Sequence, residues 1–410
     1  MMPATEIIFA AWLTLPETKA VMDALETACP GGSRFVGGCV RNHLRGAPVE
    51  DIDIATQLEP ADTLAALKAA DIRAIPTGLE HGTVTAIVNS RPYEITSLRR
   101  DVETDGRRAV VAFTQDWAED AKRRDFRLNA IYVSPDGAMH EILPGSIEDA
   151  KSGQVIFIGD GDQRLREDYL RILRFFRFNA WYGAGIDEAG LSACARQKDG
   201  LAQIAAERIW KELKRLLDAP DPSEAMMAME DSGVLERVLP GAGVAELPSL
   251  TAVEASAGLA PDPLQRLMAL VPRRVREVSD LARRLRLSNA EADRLMGWAD
   301  PAIGHVLEGS PQSWAGLFYR YGVQAIQDRA IIEAAQRSLP GPLQDLFSQA
   351  KTWHRPAFPL GGQDALAMGL DGPEVGTALR ALEEVWTESG FTLTRKDLLS
   401  RLNSQTEYRR

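Results

Sequence analysis

The sequence predicts an α/β domain with a mixed β-sheet, followed by an extension built of helices alone. Between about residues 34 and 133, short β-rich runs alternate with turn residues, and the run TLAALKAA has helical character. From about residue 147 onward the β-rich runs fade. Helical periodicity takes over there, as in LREDYLRILRFFRFNAWY and LAQIAAERIWKELKRLL.

The predicted strands follow one another through the first part of the chain. They are the runs RFVGG, DIDIAT, IRAIPT, GTVTAIVN, YEITSL, AVVAFT and NAIYVS. Breaks that contain proline divide the helical part at LDAPDPSE, LPGAGVAELPSL and HRPAFPLGG. The change near residue 147 and the first and last of these breaks predict the borders of four domains, which are residues 1–147, 148–218, 219–350 and 351–410.

Composition excludes some classes of protein. The chain has 410 residues, of which 45% are hydrophobic, so it can bury a core in more than one domain. Its formal net charge of -11 argues against a protein that coats nucleic acid nonspecifically, and a nucleic-acid partner would need local basic patches. Cys29, Cys39 and Cys194 lie far apart, which indicates no disulfide framework and favours a reducing, cytoplasmic compartment.

The N-terminal segment does not read as a targeting signal. MMPATEIIFAAWLTLPETK has no basic lead-in and no small-residue cleavage pattern, so we expect it to form the first helix. No run of eighteen apolar residues occurs in the chain. We therefore expect no membrane span.

The stretch GGCVRNHLRGAPVEDID, residues 37–53, joins two glycines and an arginine to a pair of aspartates. Asp51 and Asp53 are two apart on a predicted strand, so their side chains point to the same face. Two adjacent carboxylates repel each other unless a cation joins them, as Mg²⁺ does in sites that also bind phosphates. Gly37 and Gly38 let a phosphate approach the backbone, and Arg41 follows in the next helix. Taken alone, an Asp-x-Asp strand is equally typical of a solvated polar edge.

Further motifs make the pattern specific. GGCVR and DID are followed in order by RRDFRLNA at 123–130, REDYLRILRFFRF at 166–178 and AERIWKELKRLL at 206–217. This series resembles the polymerase-β nucleotidyltransferase superfamily, and more narrowly the class II tRNA nucleotidyltransferases, the CCA-adding enzymes, with bacterial poly(A) polymerase as close kin. The resemblance covers roughly residues 30 to 217.

The resemblance implies a head domain with the polymerase-β nucleotidyltransferase fold, then an all-α neck, body and tail, the last two holding tRNA. It implies template-independent addition of C, C and A to the 3′ end of tRNA from CTP and ATP, with Mg²⁺ as cofactor. In its terms, Asp51 and Asp53 bind metal, and Glu94 is a candidate third carboxylate. The implied nucleotide-binding residues are Gly37, Gly38, Arg41, Arg124, Asp125, Asp168, Arg171, Arg174 and Arg177, with Asn129 bracing the loop.

The segment from Arg164 to Phe178 predicts one helix, with Leu165, Ile172, Leu173 and Phe176 on its core side. Cytosine and adenine both present an amine donor beside an acceptor ring nitrogen. An aspartate accepts from that amine while an arginine donates to the ring nitrogen, which assigns base reading to Asp168 and Arg171. The alternative is an amphipathic helix whose charged face is merely solvated.

Three positions depart from the family pattern. Asn42 stands where many members have Asp, and Arg127 stands where Thr is usual. EILPGSIED at 141–149 replaces a hinge that usually reads like Asp-Pro-Phe-Gly-Gly. Because proline restricts its own backbone and that of its neighbour, we expect Leu143-Pro144 to stiffen this hinge.

Several alternatives stay open. A poly(A) polymerase usually carries a Gly-Arg-Arg-Phe-like segment and a strongly basic tail, whereas this chain has TGLEHGTVTAIV and a tail that is not basic overall, although it ends in Tyr408-Arg409-Arg410. An enzyme that adds only CC would lack the loop that RRDVETDGRRAVVAF, residues 99–113, fills here, and an enzyme that adds only A is a further possibility. A nonenzymatic RNA-binding relic would not need the intact Asp51 and Asp53. No histidine is followed by aspartate, which excludes an appended His-Asp phosphohydrolase.

Overall fold

A computed structural model describes residues 6–105, 108–337 and 343–407. The chain divides into two compact units, Met1–Pro240 and Gly241–Arg410. The first is an α/β structure that continues into helices, and the second is helical in its described residues. The predicted fold class is therefore confirmed. The domain boundaries at 147, 218 and 350 stay predictions.

The first unit contains a seven-stranded sheet in the order β3-β4-β5-β2-β1-β8-β9, and β6 pairs with β7 in a separate hairpin. All pairings in the large sheet are antiparallel except β2 with β5, so the sheet is mixed. The strand bounds are β1 (Ser33–Val36), β2 (Ile52–Thr56), β3 (Arg73–Gly78), β4 (Thr83–Val88), β5 (Arg91–Ser97), β6 (Arg99–Asp105), β7 (Arg108–Phe113), β8 (Ile131–Val133) and β9 (Met139–Glu141).

The seven predicted strand runs all form strands, while β6 and β9 were not predicted. The strands β6 and β7 occupy most of the predicted loop at 99–113, and its residues Gly106 and Arg107 lie outside the described residues.

Helices of the first unit cover the sheet and then form the α-only continuation. Their bounds are α1 (Ala11–Thr14), α2 (Pro16–Ala28), α3 (Gly38–Leu44), α4 (Pro60–Ala69), α5 (Trp117–Arg123), α6 (Ser146–Ser152), α7 (Gly161–Glu167), α8 (Leu170–Tyr182), α9 (Glu188–Gln197), α10 (Ala206–Leu217), α11 (Ser223–Asp231) and α12 (Val234–Val238). Short 3-10 helices lie at Leu79–His81, Arg127–Asn129 and Lys198–Gln203.

The N-terminal segment is less helical than predicted. Ile7 pairs with Ala138 in an isolated antiparallel bridge, and helix begins only at Ala11. Pro16 then starts α2, because proline lacks the N–H that a helix interior would need and suits the first turn. Residues 1–5 lie outside the described residues.

The second unit is built from helices α13 to α22. Their bounds are α13 (Leu247–Ala257), α14 (Pro263–Leu270), α15 (Val275–Leu285), α16 (Asn289–Ala299), α17 (Pro311–Tyr321), α18 (Val323–Arg337), α19 (Leu343–Thr352), α20 (Gly362–Ala367), α21 (Gly372–Glu388) and α22 (Arg395–Glu407). A cluster that includes buried Tyr319, Leu382 and Trp386 forms the core of its C-terminal part. Residues 408–410, which end the predicted tail, lie outside the described residues. Within the described ranges, no helix has the length and apolar character that a bilayer crossing requires.

Candidate active site

A cavity of about 620 Å³ opens in the first unit. Strand β2, helices α3, α8 and α10 and the turn after α5 supply its walls. Eight arginines and four aspartates line it together with Gly37, Gly38, Asn129, Leu170 and Phe178. Every predicted site residue lies on this cavity except Glu94. Its walls thus combine a surplus of positive charge with carboxylates, which suits an anionic ligand that also carries a cation.

The carboxylates lie where two parallel strands meet. Asp51 is exposed just before β2, and Asp53 is half-buried within it. Asp53 pairs in register with Glu94 of β5, so the two side chains share one face of the sheet. Burial, followed by the charge of Glu94, raises the pKa of Asp53 to about 6, although Arg124 opposes the shift. The nearby arginines therefore do not fully compensate the negative charge of the ionised Asp53 carboxylate. A hard cation bound here would do so.

A metal at this place would need ligands from outside the protein. No group of three or more His, Cys, Asp and Glu residues within the described ranges is arranged to hold a metal ion. Asp51 and Asp53 would supply two carboxylates, and Mg²⁺ commonly completes its octahedron with water and substrate phosphates. The residues present fit that pattern.

Gly37 keeps the approach to these carboxylates open. Its φ of 75° lies in the region that favours glycine, and it directly precedes α3. A Cβ atom at this position would lie 3.6 Å from Oδ2 of Asp53 and 3.8 Å from Nη1 of Arg124. A side chain here would therefore fill the space between carboxylate and arginine.

A chain of hydrogen bonds joins helix α3 to helix α8 across the cavity. Nη1 of Arg41 donates to Oδ1 of Asn129 at 2.5 Å, and Nδ2 of Asn129 donates to Asp125 at 3.1 Å. The other oxygen of Asp125 accepts from Nε of Arg174 at 2.8 Å. Burial raises the pKa of Asp125, but the charge of Arg174 and these hydrogen bonds outweigh it and hold that pKa well below its usual range. The ring of Tyr182 lies 3.8 Å from the Arg41 guanidinium.

Arg124 is held by a buried carboxylate that sequence reasoning missed. Asp120 of α5 is 1% exposed and accepts from Nη2 of Arg124 at 3.0 Å and from the Tyr132 hydroxyl at 2.8 Å. Burial raises the pKa of Asp120, but the charges of Arg124 and Arg123 outweigh this effect and lower it to about 2. Asp120 therefore fixes the direction of Arg124 at the cavity wall.

The predicted helix from Arg164 to Phe178 is wrong in one respect, because it is broken at Asp168. Helix α7 ends at Glu167, Asp168 is extended with φ −154° and ψ 105°, and α8 begins at Leu170. The cause is local, since Oδ1 of Asp168 accepts from the Leu170 backbone N–H at 3.0 Å in the manner of a helix cap. The predicted core side chains, Leu165, Ile172, Leu173 and Phe176, are all buried.

Protein contacts orient both predicted base-reading residues. Oδ2 of Asp168 accepts from Nη2 of Arg208 at 2.8 Å. Nη1 of Arg171 donates to the Glu167 carboxylate at 2.6 Å and to the Arg164 carbonyl at 2.8 Å. Arg208 was not among the predicted site residues, although it belongs to the AERIWKELKRLL segment.

Arg177 has a similar buried partner. Its Nε lies 2.7 Å from Oε2 of Glu212 on α10, and its guanidinium lies 4.5 Å from the Phe178 ring. The spacing of Arg208 and Glu212, four residues apart on α10, is the one sequence signal for these two residues.

The departures from the family pattern have partners of their own. The Asn42 side chain accepts a hydrogen bond from Arg41 at 3.0 Å and donates one to the Pro48 carbonyl at 2.9 Å. An ionised aspartate could accept from Arg41 but could not donate to Pro48. Arg127 makes a bidentate ion pair with Asp149 of α6, at 2.6 and 3.0 Å. Two of the three departures, Arg127 and the segment 141–149, are therefore in direct contact.

A mixed α/β domain with paired carboxylates beside an arginine-lined cavity is the architecture of a nucleotidyltransferase. The model of the Poly A polymerase head domain matches residues 33–156, and that of the probable RNA and SrmB-binding site of polymerase A matches residues 185–245. The chain is 33% identical over 377 residues to the mitochondrial CCA tRNA nucleotidyltransferase 1 of Mus musculus, covering 90% of this chain and 85% of the relative. The Homo sapiens protein of the same name gives the same figures. The chain belongs to the CCA tRNA nucleotidyltransferase family.

Solved structures agree on the fold. The CCA-adding enzyme of Bacillus stearothermophilus in complex with CTP superposes with a TM-score of 0.77 at 24% identity, covering 96% of this chain and 98% of that one. The Thermotoga maritima CCA-adding enzyme complexed with tRNA gives a TM-score of 0.67 at 17% identity, over 98% and 100% of the two chains. At these levels of sequence identity, the structural similarity shows a shared fold and nothing further about function.

Proposed function

We propose that this protein adds C, C and A to the 3′ end of tRNA, using CTP and ATP and no nucleic-acid template. One observation carries the proposal: a single cavity joins Asp51 and Asp53 to Asp168 and Arg171, the pair suited to reading cytosine and adenine. The names of the mouse and human relatives support the same reaction.

The transfer chemistry belongs to the carboxylate end of the cavity. Asp51 and Asp53 would hold Mg²⁺, and Glu94 extends this acidic face from the neighbouring strand. The bound metal would neutralise the triphosphate and polarise the reacting oxygens. The protein's own contribution is to align the 3′-hydroxyl, the α-phosphate and the leaving pyrophosphate, since positioning and charge neutralisation dominate phosphoryl transfer.

The arginines on the cavity wall would bind the triphosphate and the sugar. Arg41, Arg124, Arg174 and Arg177 are each fixed by an internal partner, so little side-chain entropy is lost when phosphate binds. Asp125 would act mainly by holding Arg174, and Gly37 and Gly38 keep the path open. A planar guanidinium suits phosphate oxygens better than a lysine ammonium does.

Base choice would follow from the hydrogen-bonding groups that the protein leaves available. Each carboxylate oxygen of Asp168 has a further lone pair after its protein contact, and Arg171 uses only Nη1 for protein partners within the described residues. The exocyclic amine of cytosine or adenine meets the acceptor, and the ring nitrogen meets the donor. Uracil and guanine would face groups of the wrong polarity.

Addition to tRNA lacking CCA tests the proposal. Labelled CTP, ATP, GTP and UTP are supplied singly and together, and the products are sized on a gel. We expect two C residues, then one A, then a stop. Long A tails would replace the proposal with poly(A) polymerase activity, and products that end at CC or accept only A would identify a partial enzyme. Asp51→Asn protein serves as the inactive control.

The compartment also belongs to the proposal. Cys29, Cys39 and Cys194 are free thiols, as is usual for proteins of reducing compartments. These features support the expected reducing, cytoplasmic compartment, while the mouse and human relatives are mitochondrial by name.

A further inference from the structure

Trp181, near the end of α8, presents an exposed indole. The residue is 40% exposed, whereas Trp210 on α10 is buried. Its Nε1, the one polar atom of the side chain, donates to the Arg215 carbonyl at 2.7 Å. Because this hydrogen bond already satisfies the N–H, the side-chain surface left to solvent is the aromatic ring.

The position of Trp181 on the helix continues the wall of the cavity. Arg174 lines the cavity, and Trp181 follows seven residues later, about two turns and about 10 Å along the same side of the helix. Phe178, which also lines the cavity, lies between them. The indole therefore extends the cavity wall beyond the proposed nucleotide site.

Arg215, whose backbone carbonyl holds this indole, adds a positive charge to the cavity wall. It is exposed, it lines the cavity, and its guanidinium makes no hydrogen bond or ion pair within the described residues. Arg174 and Arg177, by contrast, are paired with Asp125 and Glu212. An unpaired guanidinium on the cavity wall and an open aromatic face on the helix hydrogen-bonded to it match one ligand chemistry, namely a phosphate joined to a base, as in single-stranded nucleic acid.

We propose that Trp181 and Arg215 hold the 3′ end of the acceptor RNA, Trp181 by stacking on a base and Arg215 by pairing with a neighbouring phosphate. This inference rests on the proposed function, because it places the RNA end beside the cavity that would receive CTP and ATP. Stacking on a ring tolerates any base. Such a site therefore accepts the RNA end before and after each addition, while nucleotide choice stays with Asp168 and Arg171.

Kinetics on single variants test the assignment. Trp181→Ala should raise the KM for tRNA lacking CCA roughly tenfold, the typical loss for one base stack, and leave the KM for CTP unchanged. Trp181→Phe should retain most of the RNA affinity because a ring remains. Arg215→Ala keeps the carbonyl that Trp181 needs, and it should weaken RNA binding and reduce its dependence on salt.

Two controls match these variants. Phe9→Ala removes an aromatic ring that is 89% exposed, and Lys211→Ala removes an exposed cation on α10 that does not line the cavity. Neither should change the KM for tRNA. Circular-dichroism melts check that each variant folds.

Three outcomes would overturn the inference. They are an unchanged KM for tRNA in a folded Trp181→Ala protein, an increase in the KM for CTP instead, or equal losses in the alanine and phenylalanine variants. The Kd of 5′-labelled tRNA, measured without nucleotide, separates this inference from the proposed function. If wild-type protein adds no nucleotide, the proposed function fails, and the effect of Trp181→Ala on that Kd still decides the RNA contact.

Discussion

Arg171 should determine which bases the protein accepts, and Arg171→Ala tests this role directly. Glu167 and the Arg164 carbonyl occupy Nη1 of Arg171, at 2.6 and 2.8 Å. Its Nη2 and Nε make no hydrogen bond within the described residues, so they are the donors that a ring nitrogen can use. The side chain is 13% exposed, and the contact with the base would therefore form largely out of water.

The size of the effect follows from that burial. Loss of such a hydrogen bond costs about 1–3 kcal/mol, which corresponds to about five- to 150-fold in an equilibrium or rate ratio. The loss falls on cytosine and adenine only, because uracil and guanine gain nothing from Arg171. The ratio of kcat/KM for CTP over UTP, and for ATP over GTP, should fall by that factor. The local fold should survive, since Glu167 keeps its ion pair with Arg164.

The assay measures kcat/KM for each nucleotide on tRNA lacking CCA and on tRNA ending in CC. Arg166→Ala is the matched control, because Arg166 is an exposed arginine of α7 that does not line the cavity. If Arg171→Ala lowered kcat/KM equally for all four nucleotides, the base-reading role would be refuted. Arg171 would then act in binding the triphosphate or in folding.

Removal of a metal ligand by Asp53→Asn, or of the metal by EDTA, should abolish addition of every nucleotide and leave the Kd for tRNA unchanged. Added Mg²⁺ should restore activity to the EDTA-treated wild-type protein and not to the Asp53→Asn variant. The low pKa of Asp120, about 2, means that its ion pairs contribute stability above the unfolded pKa of about 3.9, and this stability disappears as the pH falls towards 2. Urea titrations should therefore show that the free energy of unfolding falls by about 2–3 kcal/mol over this pH range. The Asp120→Asn variant should show a flatter dependence of that free energy on pH, and an unchanged dependence would contradict the assignment. Arg127→Thr and Asp149→Asn should each destabilise the first unit by about 1–3 kcal/mol, with the double variant little worse than either one, as expected for a shared ion pair; additive losses would show that the two residues act independently.

The sequence predicted the strands of the sheet well where apolar residues alternate along a strand and one face of that strand is buried. The DIDIAT and YEITSL runs became β2 and β5 because alternating apolar residues fix which face enters the core. RRDVETD formed β6 although it is largely polar, and β9 has only three residues. Neither segment carries a periodic apolar signal, so pairing with the adjacent strand, β7 for β6 and β8 for β9, decides its structure.

The same limit applies to the candidate site. Gly37, Asp53 and Arg171 could be found because local motifs contain them. Asp120 could not, since it is a charged residue on a helix and such residues are usually solvated. Arg208 lies in the quoted AERIWKELKRLL segment, but its spacing to Glu212 is equally typical of a solvated helix face. Their role depends on contacts with Arg124 and Asp168 that only the folded chain creates.

The segment 141–149 illustrates how a local expectation can have a nonlocal cause. Proline alone predicted a stiffer hinge. The fold adds the bidentate pair between Arg127 and Asp149, which ties α6 to the 3-10 turn at Arg127–Asn129. Asn129, in that same turn, bridges Arg41 and Asp125 on the cavity wall. Because the turn is short, movement of α6 would be transmitted to Asn129 within two residues. The departures at 127 and at 141–149 are therefore linked through one turn to the wall of the proposed nucleotide site.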